Sequence, residues 1–168
     1  SGNLGSVHNC RFYGTGTPLD TITDADVRWA FHINDQITDT HKDAMISLVG
    51  NLTATTIVAV NTPTLIAGTW NAEHANQFTT DTNGRMTYNG LRDEHFAITC
   101  SYSVEPVSGT NKTIGLYVAK NGTEISNSEA VAVVNAGSPQ RVTTIWRVEL
   151  SQGDYIEGFV ENETDAID

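Results

Sequence analysis

The chain has 168 residues, with 20 acidic against 9 basic side chains and a formal charge of −11, a length that suits one domain, alone or with a short appendage. So acidic a surface repels phosphate backbones and anionic lipid heads, which argues against nucleic acid and membranes as partners. The longest apolar runs, Ile57-Val58-Ala59-Val60 and Ala130-Val131-Ala132-Val133-Val134, fall far short of the roughly 20 residues of a membrane-spanning helix. No secretory pattern opens the sequence as given. Thr, Val and Ile fill 49 of the 168 positions and Leu only 8, and side chains this stiff at χ1 favour pleated sheet over helix.

Residues 1–54 are irregular in texture. They contain His8-Asn9-Cys10-Arg11-Phe12-Tyr13-Gly14, Val27-Arg28-Trp29-Ala30-Phe31-His32-Ile33-Asn34-Asp35 and Asp43-Ala44-Met45-Ile46-Ser47-Leu48-Val49-Gly50-Asn51. Each is a short apolar strand ending in Gly, Asn or Asp, and their centres lie about 20 residues apart, the spacing of coils in a parallel β-solenoid. An irregular stalk, or a short helix beginning at Asp24-Ala25-Asp26, is the competing expectation. From residue 55 the alternation becomes regular. Short strands are expected at 55–60, 64–70, 77–80 and 85–88, with Asp81-Thr82-Asn83-Gly84 turning between the last two.

Between His95 and Val104 the even positions Phe96, Ile98, Cys100, Tyr102 and Val104 are apolar and Thr99, Ser101 and Ser103 polar, the period of a half-buried strand that points Cys100 inward. Cys10 and Cys100 lie too far apart for a metal-ligand spacing and read as free, buried thiols. Residues 113–119 alternate likewise and run into Lys120-Asn121-Gly122-Thr123, where Asn-Gly suits the two positive φ angles of a type I′ hairpin. Further strands are expected at 130–134, at 142–150 with Val142, Trp146, Val148 and Leu150 on one face, and at 154–161 with Ile156 and Val160 inward. Strands at this spacing with no intervening helix describe an all-β, antiparallel jelly-roll sandwich over residues 55–168, preceded by an irregular or β-solenoid-like segment over residues 1–54.

Two of these strands are not plainly polar on the outside. The face opposite Ile156 carries Tyr155, Glu157, Phe159 and Glu161, and the face opposite Leu116 carries Gly115, Tyr117 and Ala119. A strand apolar on both sides is usually covered on both, and in a two-layer sandwich the second cover comes from another chain. Tyr117, Tyr155 and Phe159 are therefore the candidate oligomer interface. No catalytic pattern stands out: there is no nucleophile elbow, phosphate-cradling loop or His-Glu-x-x-His motif. His8, His32, His41, His74 and His95 are scattered, and of the two acidic clusters, Asp20, Asp24, Asp26 and Asp35, Asp39, Asp43, the first lacks the Gly and terminal Glu of a calcium loop. No cofactor, metal or catalytic residue is assigned, and the four Asn-x-Thr sequons follow from composition.

Several stretches together resemble a known family: Asn61-Thr62-Pro63, Ala67-Gly68-Thr69-Trp70, Phe78-Thr79, Gly84-Arg85-Met86-Thr87-Tyr88-Asn89-Gly90, Glu105-Pro106, Tyr117-Val118-Ala119-Lys120-Asn121-Gly122 and Leu150-Ser151-Gln152-Gly153-Asp154-Tyr155-Ile156. In order and spacing the region from about residue 55 to 168 is similar to the tumour-necrosis-factor-like and complement-globular-head jelly rolls, in the versions found in bacteriophage tail fibres, tailspikes and other virion surface proteins. The resemblance implies a homotrimer on a virion surface, contacting other virion proteins and a host-surface glycan, a structural and receptor-binding module that is not an enzyme. It leaves a capsid decoration or head-fibre protein and a fragment of a polysaccharide depolymerase as alternatives. Family members usually close the sandwich with one more strand after Glu161-Asn162-Glu163-Thr164, so a missing last strand and an unpaired edge are also expected.

Overall fold

A computed structural model describes residues 41–166 and residue 168, together with the backbone of two short strands, β1 (Gly5–His8) and β2 (Trp29–His32). These two pair in parallel, Gly5 opposite Trp29 through His8 opposite His32. The expected strand around Asp43 is present as β3 (Asp43–Ser47), which pairs antiparallel with β5 (Asn71–Asn76). The Asp24-Ala25-Asp26 helix start, Cys10, His8 and His32 side chains, and all the clustered aspartates but Asp43 lie outside the described residues.

The remaining strands are β4 (Thr64–Leu65), β6 (Phe78–Thr80), β7 (Met86–Tyr88), β8 (Glu94–Val104), β9 (Lys112–Lys120), β10 (Thr123–Glu124), β11 (Ala130–Val134), β12 (Gln140–Leu150) and β13 (Tyr155–Asn162). They form the expected all-β, antiparallel jelly-roll sandwich. One sheet has seven strands, β10, β9, β13, β7 and β6 in sequence across it, with β11 also on β9 and β4 also on β13. The other layer is the long β8–β12 ribbon, paired over its whole length from Gln140 opposite Val104 to Leu150 opposite Glu94.

The core lies between the layers. Ile114, Leu116, Val118, Ile156 and Val160 from the seven-stranded sheet pack against Ile98, Cys100, Val142, Val148 and Leu150 from the ribbon, and at about 25 cal/mol per Å² this apolar burial is the main stabilising term. The even-numbered residues of β8 do face inward, and burial pushes the Cys100 thiol up to about 11, partly opposed by its hydrogen bond with Tyr102. Gly158 on β13 makes room for the Tyr102 ring across the layers, since a Cβ there would stand 2.5 Å from its hydroxyl. A 3₁₀ turn at Ser126–Ser128 joins β10 to β11. Its buried Ser128 accepts from the Val118 N–H at 2.9 Å and donates to the Ile125 carbonyl at 2.7 Å, while its own carbonyl takes the Thr144 hydroxyl of β12.

The turns follow their residues. Asn121 and Gly122 have φ of 53° and 76°, the two positive angles of a type I′ turn, and Thr123 sits opposite Lys120. Asp81 caps its own turn, its Oδ1 accepting the N–H groups of Asn83 at 2.8 Å and Arg85 at 3.1 Å, an Asx arrangement. Three expectations need correction. Residues 55–60 are not a strand: Ile57 is buried but Val58 and Val60 are exposed, and the segment is tied by separate bonds, Ile57 N–H to Asp168 and Asn61 N–H to the Asn162 carbonyl. Strand 64–70 shrinks to two residues. β13 leaves no open edge, because β9 lines one side and β4 and β7 the other.

Candidate functional site

Strand alternation sends Ile156, Gly158 and Val160 into the core and turns Tyr155, Glu157, Phe159 and Glu161 to the outer face of the seven-stranded sheet. On β9 the same face receives Gly115, Tyr117 and Ala119. The register sets Phe159 directly between Tyr117 and Leu65, Glu157 opposite Ala119, and Glu161 opposite Gly115. Tyr117, Ala119 and Phe159 bury one another with help from Leu65, forming a small apolar cluster separate from the core. Tyr117 is 6% and Phe159 9% exposed within a single chain. Two of the three residues expected at an interface are thus already covered by their own sheet, and Tyr155 is half-buried beside them.

Carboxylates wall this cluster at both ends. Toward β7, Glu157 is 2% exposed, accepts from Arg85 Nε at 2.7 Å, and has no partner for its second oxygen among the described residues. The Arg85 guanidinium stands 4.7 Å from the centre of the Tyr155 ring, a cation–π contact. Toward β11, the Tyr117 hydroxyl lies within hydrogen-bonding distance of Glu161 and, at 2.7 Å, of Glu129, and its single proton is donated to one of them at a time. The Tyr117 hydroxyl is held well above the usual phenol range, by burial first and then by these two carboxylates. Gly115 is what admits them: a Cβ there would stand 3.0 Å from Glu129 Oε1 and 3.2 Å from Glu161 Cγ.

Glu163 joins the same group. Oxygens of Glu129, Glu161 and Glu163 lie within 4.8 Å of one another, and burial, then the Glu129 charge, raises the Glu163 carboxyl above its ordinary range. Carboxylates this close either share protons or take a hard cation through oxygen. The outer face continues past them onto β11, where Val131 lies opposite Gly115 and Val133 opposite Thr113. Both valines are exposed, at 52% and 58%.

Sequence reasoning read Tyr155, Glu157, Phe159 and Glu161 onto the outward face of one strand and Tyr117 onto that of another, and the structure sets those two strands side by side. It missed Glu129, Glu163, Arg85 and the two valines. A glycine inside the apolar strand 112–120 was the available signal, since such a residue marks a close approach by a neighbour.

No family model matches the sequence, and no curated protein matches it. Among solved structures the chain is similar to the crystal structure of murine APRIL at pH 5.0. The two are 8% identical, the match covers 68% of this chain and 90% of that one, and the TM-score is 0.40. No helix among the described residues is long and apolar enough to cross a membrane.

Proposed function

We propose that the chain is a homotrimeric structural and adhesive module of a virion fibre or tailspike, holding host-surface glycan by binding without turnover. The observation that carries assembly is the outer face of the seven-stranded sheet. There Val131 and Val133 stand exposed at 52% and 58% beside an apolar cluster. Self-association hides the valines, a gain a solitary chain forgoes. The setting on a virion rests on the family resemblance of residues 55–168, and three linked copies turn weak single-site affinity into avidity.

Size-exclusion chromatography with light scattering tests the reading. The expected mass is three times the 18.2 kDa of one chain. The double substitution Val131→Asp and Val133→Asp is expected to give monomers with unchanged β circular dichroism. A wild-type chain that runs as a monomer at about 10 μM, an affinity limit of about −7 kcal/mol, overturns it.

A further inference from the structure

A cavity of about 360 Å³ opens between the two layers, on the opposite side of β13 from the assembly face. Its inner walls are apolar: Ile156 of β13 and Met86 of β7 on one side, Phe96 and Ile98 of β8 on the other, with Phe78 of β6 packed edge-on to Phe96 at 5.1 Å. Its mouth is polar. Lys42 is paired with Glu94, Asp43 lies 3.8 Å from His41 and 3.1 Å from His74, and His95 completes the rim.

That combination selects a ligand class. At the mouth Lys42 is offset by Glu94 and Asp43 adds one further negative charge, so the rim disfavours anions, as does a chain of net charge −11. A phosphate or carboxylate would compete with Glu94 for Lys42 while standing beside Asp43. A pure hydrocarbon would strip water from the rim and give nothing back. A neutral pyranose does neither, because its hydroxyls both donate and accept, which the ammonium, imidazole and carboxylate groups can each answer. Its C–H face meets the apolar wall of Phe78 and Phe96. The volume lies at the small end of the about 300–1,000 Å³ typical of small-ligand sites, which fits one sugar unit better than an extended oligosaccharide.

We propose that this cavity, floored by Phe78 and Phe96 and edged by the Lys42–Glu94 pair, binds a single neutral hexopyranose unit of a glycan. For its biological purpose the proposal rests on the adhesive reading, and it gives that reading a location. The test is a nuclear magnetic resonance titration of the full chain with methyl glucopyranoside, methyl galactopyranoside, methyl mannopyranoside and N-acetylglucosamine. Glucuronate and cyclohexanol serve as the charged and apolar controls.

At least one neutral sugar should saturate with Kd on the order of 1 mM, moving His41, His95 and Phe96 signals, with both controls weaker by about ten-fold. Ala44→Trp, at a half-buried lining position on the face of β3 that carries the core-packed Ile46, should fill the cavity and weaken binding about ten-fold or more. If that variant misfolds, Glu94→Ala is expected to weaken binding about three-fold through one lost hydrogen bond. No saturation by any neutral sugar at about 50 mM, a Kd well beyond the millimolar class, overturns the proposal. So do equal binding of a control, shifts away from the cavity, or affinity indifferent to both substitutions. Light scattering on the same sample separates the two readings: a trimer that ignores sugars overturns only the cavity, and a sugar-binding monomer overturns only assembly.

Discussion

Asp154 shows how much of a turn one side chain can hold. Its carboxylate pairs with Lys120 at 2.8 Å, takes the Asn121 side-chain amide at 2.7 Å, and accepts the Ser151 N–H at 2.9 Å. The Lys120 and Asn121 bonds, then the Ser151 amide, hold the carboxyl down at about 2 against an ordinary 3.8. A depressed carboxyl stabilises the fold above its unfolded value and loses that contribution as pH falls through the folded one. Asp154→Ala is therefore expected to cost about 1–2 kcal/mol at neutral pH, with the difference shrinking between pH 3.8 and about 2. Urea denaturation at several pH values measures this, and a pH-independent difference would show that the charge is not what matters. The sequence announced this residue only as part of a Gly-Asp turn, because partners 33 and 34 residues away cannot be read from local pattern.

At the scale of elements, the two strands of the ribbon were plainly legible in advance, with one face buried and the other wet. β8 and β12 alternate because one side packs on the core and the other meets solvent, so burial writes its period into the residues. β5 escaped notice because Asn71–Asn76 is almost wholly exposed and buries no face that would demand apolar residues. The opposite error fell on residues 55–60, where β-branched composition suggested a strand that has no ladder to join. The β9–β10 hairpin was legible from two residues. Gly122 has φ of 76° and a Cβ there would stand 3.4 Å from the Tyr155 hydroxyl, so space is adequate and conformation is the obstacle. Gly122→Ala is expected to destabilise by about 1 kcal/mol, read as a lower Tm; an unchanged Tm would mean the turn relaxes to another type.

For the whole molecule, the carboxylates gathered on the outer face of the seven-stranded sheet should leave a mark on global stability. Glu163 is raised above its ordinary 4.5 by burial and by the neighbouring Glu129 and Glu161. A carboxyl raised in the folded state favours folding below the unfolded value and loses that contribution as pH climbs through the folded one. Glu163→Gln should thus raise Tm at neutral pH by about 2–4 °C, equivalent to about 1 kcal/mol for a chain of this size. The gain should fade below pH 4.5. Calorimetry from pH 4 to pH 8 checks it, and a loss of stability at neutral pH would mean that the charged form is the one the fold requires. The cluster was not visible as such beforehand, since Glu129 comes from a different segment from Glu161 and Glu163 and only the sheet register unites them.

The position of β13 has a consequence for how the molecule is made. Of the described strands the last to leave the ribosome is an interior one, wedged between β9 and the β4–β7 pair. Until it is synthesised, the larger sheet exists as two halves, each exposing a row of unanswered amide and carbonyl groups. Nascent chains therefore pass through a stage with a slot shaped for a strand they do not yet own. A neighbour on the same message can fill it, so crowded polysomes should favour exchanged strands, and a translational pause just before β13 should aggravate the error.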